Sequence, residues 1–448
     1  MGNADLIFDG QVKNMQKLLE VREFDTISCN PDFQTEYAYL PEKVFRNLEE
    51  FIHMFAADDD HADVLEFLRI GYKRNIGDVI SVNNYVGLIQ MQDGYQIEVL
   101  PKIDLGDSDE GYRETKKVFL RMLRSMKDFP SKVLTDANLK ADRMNLYEIF
   151  ISMYLQEVRI LVKHGLRSSY LENEDNLRYY KGKLVVSEQI KRNIAHEEQF
   201  FVRYDEYQVN RAENRLVKAT LLKLGRISGS AENQKEIRQL LSFFEMVDAS
   251  VNYQKDFSSV VLDRSTKDYE MLMRWSRVFL LNQSFTTFSG GTTARALLFP
   301  MEKIFESYVA QELRKIVVEL GWEFSAQDKG YYLFDSPRQF ALRPDIVIQR
   351  DNGSTVVLDT KWKRLSEKAK NYGISQSDMY QMYAYSKKYQ TPDIWLLYPL
   401  ASGMREHDPI EFRSDDGVRV RVRFVDVANI EYSLEDITEE LKVQHEIC

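Results

Sequence analysis

The sequence predicts a multidomain α/β protein, and three observations carry that prediction. A chain of 448 residues has room for two to four domains at about 100–200 residues each. Strand-like segments with turn signals crowd the first hundred residues, whereas helical periodicity dominates from residue 112 to about residue 281. After a Gly290-Gly291 loop the pattern alternates helix, hairpin, helix and strand, the order of an α/β layer. The expected division is a strand-rich N-terminal α/β domain with an acidic linker at 1–111, a mainly helical region at 112–290, and an α/β domain at 291–448.

Taken in order, PEKVFRNLEEFIHMF spaces its apolar residues for an early helix. Extended segments follow at 65–72, 78–82, 85–91 and 95–100, with Asp93-Gly94 as the turn between the last two. The stretch DLGDSDEG at 104–111 is acidic, contains glycine and reads as a linker. Helical spacing then recurs in VFLRMLRSM, LYEIFISMYLQEVRILV, ENRLVKATLLKL and EIRQLLSFFEM. YYKGKLVVSEQI interrupts it as a short strand or hairpin. A helix is expected over 299–320, with Phe305, Val309, Leu313, Ile316 and Leu320 on one face.

Composition narrows the chemistry. Lys plus Arg number 60 against 70 Asp plus Glu, a net charge of -10, so nucleic acid must be met by a local basic surface and not by overall charge. Two cysteines, Cys29 and Cys448, exclude a disulfide framework, a four-cysteine zinc site and a four-cysteine iron–sulfur cluster. The six histidines are scattered with no metal-ligand spacing. There is no phosphate-binding Gly-x-x-x-x-Gly-Lys-Ser/Thr loop and no Gly-x-Ser-x-Gly elbow. No apolar run approaches the ~20 residues of a membrane span, and the polar start is unlike a signal peptide, so a cytoplasmic protein without membrane attachment is expected.

The informative segment is ALRPDIVIQRDNGSTVVLDTKWKRL, residues 341–365. Two extended runs flank Asp351-Asn352-Gly353, a three-residue loop with glycine where a left-handed residue is needed. With Arg350 and Ser354 flanking the loop, Asp345 falls opposite Asp359. Alternation then puts Asp345, Asp359 and Lys361 on one face and Ile346, Ile348, Val356 and Leu358 on the other. Two carboxylates and an ammonium on one face of a half-buried hairpin are costly without a function. Divalent metal binding supplies one, because carboxylate oxygens suit Mg²⁺, with Mn²⁺ expected to substitute, and a neighbouring lysine can position water. An acid-x-Lys triplet alone is too short to decide, but its neighbours sharpen it. Glu302 and Glu306 lie on the apolar face of the preceding helix, and Gln381 and Tyr385 share a face, four residues apart, on a helix that follows.

This order of parts resembles the PD-(D/E)XK nuclease core: helix with Glu302 or Glu306, strand with Pro344-Asp345, strand with Asp359-Thr360-Lys361, helix with Gln381 and Tyr385. The last element is similar to that of RecB-type nucleases. Tyr180-Lys-Gly-Lys183, Tyr204-Asp-Glu-Tyr207 and Asn210-x-x-x-Asn214-Arg215 resemble the middle region of the McrC family, nuclease subunits of modified-cytosine restriction systems. So do PMEKIFESYVAQEL, LDTKWK, DMYQMYAY and IWLLYPL, in order, over about residues 112–400, and 85–103 looks like the N-terminal extension of longer members. The resemblance implies a Mg²⁺-dependent endonuclease for double-stranded DNA with modified cytosines, working with a McrB-like AAA+ GTPase whose turnover it stimulates. Asp345 and Asp359 would bind metal, Lys361 would orient water, Glu302 or Glu306 would complete the shell, and Gln381 and Tyr385 would position substrate or brace the site. A stand-alone repair nuclease is the rival within the class; an adaptor that only activates an AAA+ ring is the rival outside it.

Basic residues form the remaining candidates. Lys363, Arg364, Lys368 and Lys370 adjoin the expected metal site and are candidate phosphate contacts. Arg419, Arg421 and Arg423 alternate with valines, as on a solvated edge strand or a DNA-backbone stripe. Arg121, Arg124 and Lys127 mark a solvated helix face or a partner contact. Trp362 and Trp395 are expected to pack in the core.

Overall fold

Strand pairing joins segments far apart in the chain. In a computed structural model that describes residues 17–56, 67–91, 93–106, 108–126, 144–261, 267–281, 294–404 and 409–447, strand Tyr85–Met91 pairs antiparallel with both Gln96–Leu100 and Ala294–Pro300. Leu18–Arg22 adds in parallel to the far side of Gln96–Leu100. Gly87 admits the late strand: its φ is 133°, and a Cβ there would lie 2.1 Å from the Leu297 carbonyl oxygen. The chain thus forms two units, Met1–Lys132 with Gly291–Cys448, and Val133–Gly290. The sequence sets its first and last segments apart, and the structure gathers them into one unit. Nor is 104–111 a free linker: helix Asp109–Leu123 starts inside it, capped by Ser108, and Asp104 pairs with Arg364. The Gly290-Gly291 loop and Lys127 lie outside the described residues.

The α/β unit also holds a four-stranded sheet in the order Ala38–Tyr39, Thr26–Ser28, Gly77–Val82, Leu68–Lys73. The helix Glu42–Ala56 buries Val44, Phe45, Leu48, Phe51 and Ile52. Its largest sheet has six strands in the order Glu323–Ala326, Ile346–Gln349, Thr355–Thr360, Asp393–Pro399, Arg419–Val425, Ile410–Arg413. The three central strands, from Thr355 to Val425, are parallel, and helix Gln376–Tyr389 makes the crossover between the first two of them. Ser375 caps that helix by accepting from the Asp378 N–H, and Gln390 ends it in the left-handed conformation. Strands buried on both faces read as apolar runs, as IWLLYP does; Trp395 and Tyr398 are fully buried there.

This sheet corrects one expectation. Arg419–Val425 is an interior strand, flanked on both sides, so it is neither a solvated edge nor a DNA stripe. Arg421 is 4% exposed and pairs with Asp393; Arg423 pairs with Glu440 at 2.6 Å. Trp362 and Trp395 pack in the core as expected. Arg121 donates to the Ala428 carbonyl at 3.2 Å.

The second unit is built on helices Leu146–His164, Ala212–Ile227, Ala231–Leu241, Tyr253–Ser259 and Lys267–Leu281. Asn145 caps the first by accepting from the Glu148 N–H, and Gly165 at φ 87° ends it. Its buried Glu148 accepts from Ser228, the Gly229 N–H and Asn233 at 2.6–2.8 Å, which ties the helix to the turn before Ala231–Leu241. A three-stranded sheet of Ser169–Leu177, Phe200–Gln208 and Lys183–Leu184 completes the unit. Gly182 at φ 72° opens its shortest strand, where a Cβ would meet the Arg203 carbonyl oxygen at 2.3 Å. Among the described residues no helix is long and apolar enough to cross a membrane.

Candidate active site

The hairpin loop sets the geometry. Gly353 has φ 79°, its N–H donates to the Arg350 carbonyl at 2.9 Å, and the Arg350 N–H donates to the Ser354 carbonyl at 3.0 Å. Ile346 therefore pairs with Leu358 and Ile348 with Val356, and continuing the register sets Asp345 opposite Asp359, as the loop length predicts. The two strand ends meet within the six-stranded sheet, at the C-terminal end of its parallel strands.

There, Asp345 Oδ2 accepts two hydrogen bonds from Thr360, one from its N–H and one from its Oγ1, both 2.7 Å. Asp359 is 1% exposed and forms an ion pair with Lys361. The Lys361 N–H is held by the Leu397 carbonyl of the parallel neighbour strand at 2.9 Å. Glu306, half-buried on helix Met301–Glu319, accepts from Gln327 Nε2 at 2.7 Å. The Gln327 N–H in turn donates to the Asp345 carbonyl at 2.8 Å. Gln381 donates to the hydroxyl of buried Tyr385 at 2.8 Å, and that tyrosine feels the charges of Asp359 and Asp345.

The electrostatics follow from crowding carboxylates away from water. Burial, then the charge of Asp345, pushes both Asp359 and Glu306 up to about 7. Burial also raises Asp345, against the two Thr360 donors that favour its anion. For Lys361 burial acts downward, but Asp359 and then Asp345 outweigh it and leave the ammonium raised. Three carboxylates around one ammonium leave an excess of negative charge that a hard cation would relieve.

The donors are all oxygens, which fits Mg²⁺. Among the described residues no three His, Cys, Asp or Glu side chains form a group that could hold a metal ion. Mg²⁺ is usually held by one or two carboxylates with waters and substrate phosphates completing its shell.

The structure brings Asp345, Asp359, Lys361, Glu306 and Tyr385 with Gln381 together. It does not bring Glu302, which is exposed one turn earlier on the helix, where its charge acts on Glu23. Of the basic candidates, Lys363 pairs with Asp378 at 3.1 Å and Arg364 with Asp104. Lys368 is exposed in the turn that follows, and Lys370 is exposed at the start of the short helix Lys370–Gly373. Sequence reasoning missed Thr360 and Gln327, which hold the carboxylates. Only the central position of Thr360 in Asp-Thr-Lys signals the first; nothing in the sequence signals the second.

A sequence profile described as the McrBC 5-methylcytosine restriction system component matches residues 80–399. The chain belongs to the McrC family of that system. No curated protein matches it. Among solved structures it is similar to a chain of a refined half-complex from a tetradecameric assembly of Thermococcus gammatolerans McrB AAA+ hexamers with bound McrC. The identity is 20%, the TM-score 0.65, and the match covers 94% of this chain and 100% of that one. That likeness establishes a shared fold. A chain of the Thermococcus gammatolerans McrBC complex matches at 19% identity and TM-score 0.47 over 69% of this chain and 89% of that one.

The McrC-like motif residues of the second unit prove to be latches. Asn214 donates to the carbonyls of Arg167 and Val209 at 3.0 and 2.7 Å and accepts from the Tyr269 hydroxyl at 2.6 Å. Arg215 pairs with Asp256 at 2.6 Å. Asn210 accepts from the Asp248 N–H at 2.9 Å. Lys181 stacks on Tyr204 at 3.9 Å from the ring centroid, and Tyr204 donates to Asp175 at 3.0 Å.

Proposed function

We propose that this chain is the Mg²⁺-dependent DNA endonuclease subunit of a GTP-dependent restriction complex for modified cytosine, and that it binds and stimulates a McrB-like AAA+ GTPase. The observation that carries the reading is the meeting of Asp345, Asp359 and Lys361 at adjoining strand ends, with Glu306 and Tyr385 around them. The order helix, antiparallel pair, crossover helix, parallel strand supports a PD-(D/E)XK core. The missing phosphate-binding loop supports a division of labour in which the partner hydrolyses GTP. McrC bound to McrB AAA+ hexamers, in the similar Thermococcus gammatolerans structure, supports the same partnership.

In this mechanism Asp345 and Asp359 would hold Mg²⁺, with Glu306 beside them. When bound, Mg²⁺ would supply neutralising charge at the phosphate and a more acidic water. The two Thr360 donors favour the Asp345 anion and orient it. The Lys361 ammonium, held by Asp359, donates to the attacking water or to a phosphate oxygen as charge develops there. The Gln381–Tyr385 bond fixes the wall beside Asp359. Lys368 and Lys370 carry phosphate contacts, while the charges of Lys363 and Arg364 are spent on Asp378 and Asp104. Residues 112–290 hold the partner ring.

Plasmid cleavage with Mg²⁺, GTP and partner tests the reading. Asp359→Ala and Lys361→Ala should each slow cleavage by about 10²–10³-fold or more, with far-UV circular dichroism unchanged. Wild-type rates in both variants would end the nuclease assignment.

A further inference from the structure

The segment that follows Lys361 is gripped by residues from the other end of the chain. Glu23, at the end of strand Leu18–Arg22, is fully buried. Its Oε2 accepts from the Lys102 N–H at 3.1 Å and from Trp362 Nε1 at 3.0 Å, and its Oε1 lies 3.2 Å from the same indole nitrogen. Two residues on, Arg364 forms its ion pair with Asp104. Residues 361–366 form no strand or helix, so these anchors do the work that a ladder would otherwise do. The Trp362 ring is 5.3 Å from that of Phe305, the residue before Glu306. One indole therefore braces both the loop of Lys361 and the helix of Glu306.

We infer that Glu23, with Asp104 in support, is a positioning residue for the nuclease site: through Trp362 and Arg364 the N-terminal sheet fixes the loop that carries Lys361. The inference rests on the nuclease reading. It gives the N-terminal 100 residues a part in DNA cleavage. It also gives Arg364 an internal partner in place of DNA. A carboxyl group buried against an indole is costly unless its bonds are made, and here they tie Trp362 of the Lys361 loop to the Lys102 backbone. Because Oε2 accepts from both donors, a glutamine carbonyl placed there keeps both bonds.

The test compares Glu23→Ala, Glu23→Gln and Asp104→Ala with wild type and Asp359→Ala, all as full-length chains with Mg²⁺, GTP and partner. Glu23→Ala should lower kcat for cleavage by about 10-fold or more, as loss of outer-layer support does, with KM for DNA and stimulation of partner GTPase unchanged. Glu23→Gln should recover to within about twofold, and Asp104→Ala, at a more exposed pair that does not threaten folding, should lower kcat by a smaller factor. Hydrogen exchange on the metal-free protein gives a readout independent of activity. Residues 361–366 should exchange faster in Glu23→Ala, while strand Arg419–Val425 keeps its protection. Wild-type kcat in both Glu23→Ala and Asp104→Ala, or unaltered exchange at 361–366, overturns the inference while the nuclease reading stands. A wild-type protein that cleaves no faster than Asp359→Ala overturns both.

Discussion

Replacing Glu23 by glutamine should change how stability depends on pH, by an amount the structure sets. Burial pushes this carboxyl from 4.5 up to about 8, against the pull of the Lys102 N–H and Trp362 donors, with the charge of Glu302 adding to the rise. Its folded pKa lies above its unfolded one, so between those values the folded chain holds a proton that the unfolded chain releases. Stability from this group is complete below pH 4.5 and is lost as pH rises through about 8. At about 1.4 kcal/mol per pH unit, the interval amounts to roughly 4–5 kcal/mol. Glutamine has no such titration and keeps the acceptor. Urea unfolding from pH 5 to 9, followed by tryptophan fluorescence, measures both proteins. Trp322, Trp362 and Trp395 report on the α/β unit, and Glu306 and Asp359, which titrate in both proteins, cancel in the difference. Relative to wild type, Glu23→Gln should gain most of that amount between pH 5 and 9. A flat difference, within about 1 kcal/mol, would refute the reasoning.

Three further outcomes are expected. Thr360→Val removes one of two donors on Asp345 Oδ2 and should reduce Mg²⁺ affinity or cleavage by roughly 10–100-fold, measured by Mg²⁺ titration of the cleavage rate; an unchanged titration curve counts against Asp345 as a ligand. Asn214→Ala breaks three hydrogen bonds of a buried side chain and should destabilise the second unit by about 2–4 kcal/mol, seen as earlier urea unfolding reported by Trp275; an unmoved midpoint would show that the latch is not needed. The chain alone should hydrolyse no GTP, and Asp359→Ala should stimulate the partner as wild type does; loss of stimulation would tie the two functions to one site.

What was legible in the sequence is what short-range rules dictate. Asp351-Asn352-Gly353 fixes the hairpin register because a three-residue loop with one left-handed glycine leaves little choice, and that register sets Asp345 opposite Asp359. Helices with a clear apolar period, such as Leu146–His164, were equally legible. Strands Ser169–Leu177 and Phe200–Gln208 were not. SYLENEDNL and FFVRYDEYQ lack an apolar alternation, and cross-strand pairs such as Arg203–Glu174 and Tyr204–Asp175 hold them instead. Glu302 and Glu306 differ by one helical turn on the same face. Periodicity gives the face, and the height along the axis that brings Glu306 to Asp345 comes only from tertiary packing. Arg364 reads as a free cation because its partner, Asp104, is 260 residues away.

The same long-range pairing alters what fragments of this chain can do. Cutting near residue 290 divides the sequence where its periodicity changes, yet it separates Ala294–Pro300 from Tyr85–Met91 and Trp362 from Glu23. An N-terminal piece ending there keeps Leu88 and Ile89 but loses the strand that covers their edge, which leaves unpaired ladder groups open to aggregation. A C-terminal piece keeps Asp345, Asp359 and Lys361, but the loop after Lys361 has lost both anchors. The fragment from Gly291 should therefore cleave poorly even where it folds, and adding residues 1–132 in trans should raise its rate. If the isolated fragment matches the full chain in Mg²⁺-dependent cleavage, the N-terminal sheet has no part in building the site, and the α/β unit is two independent domains that merely touch.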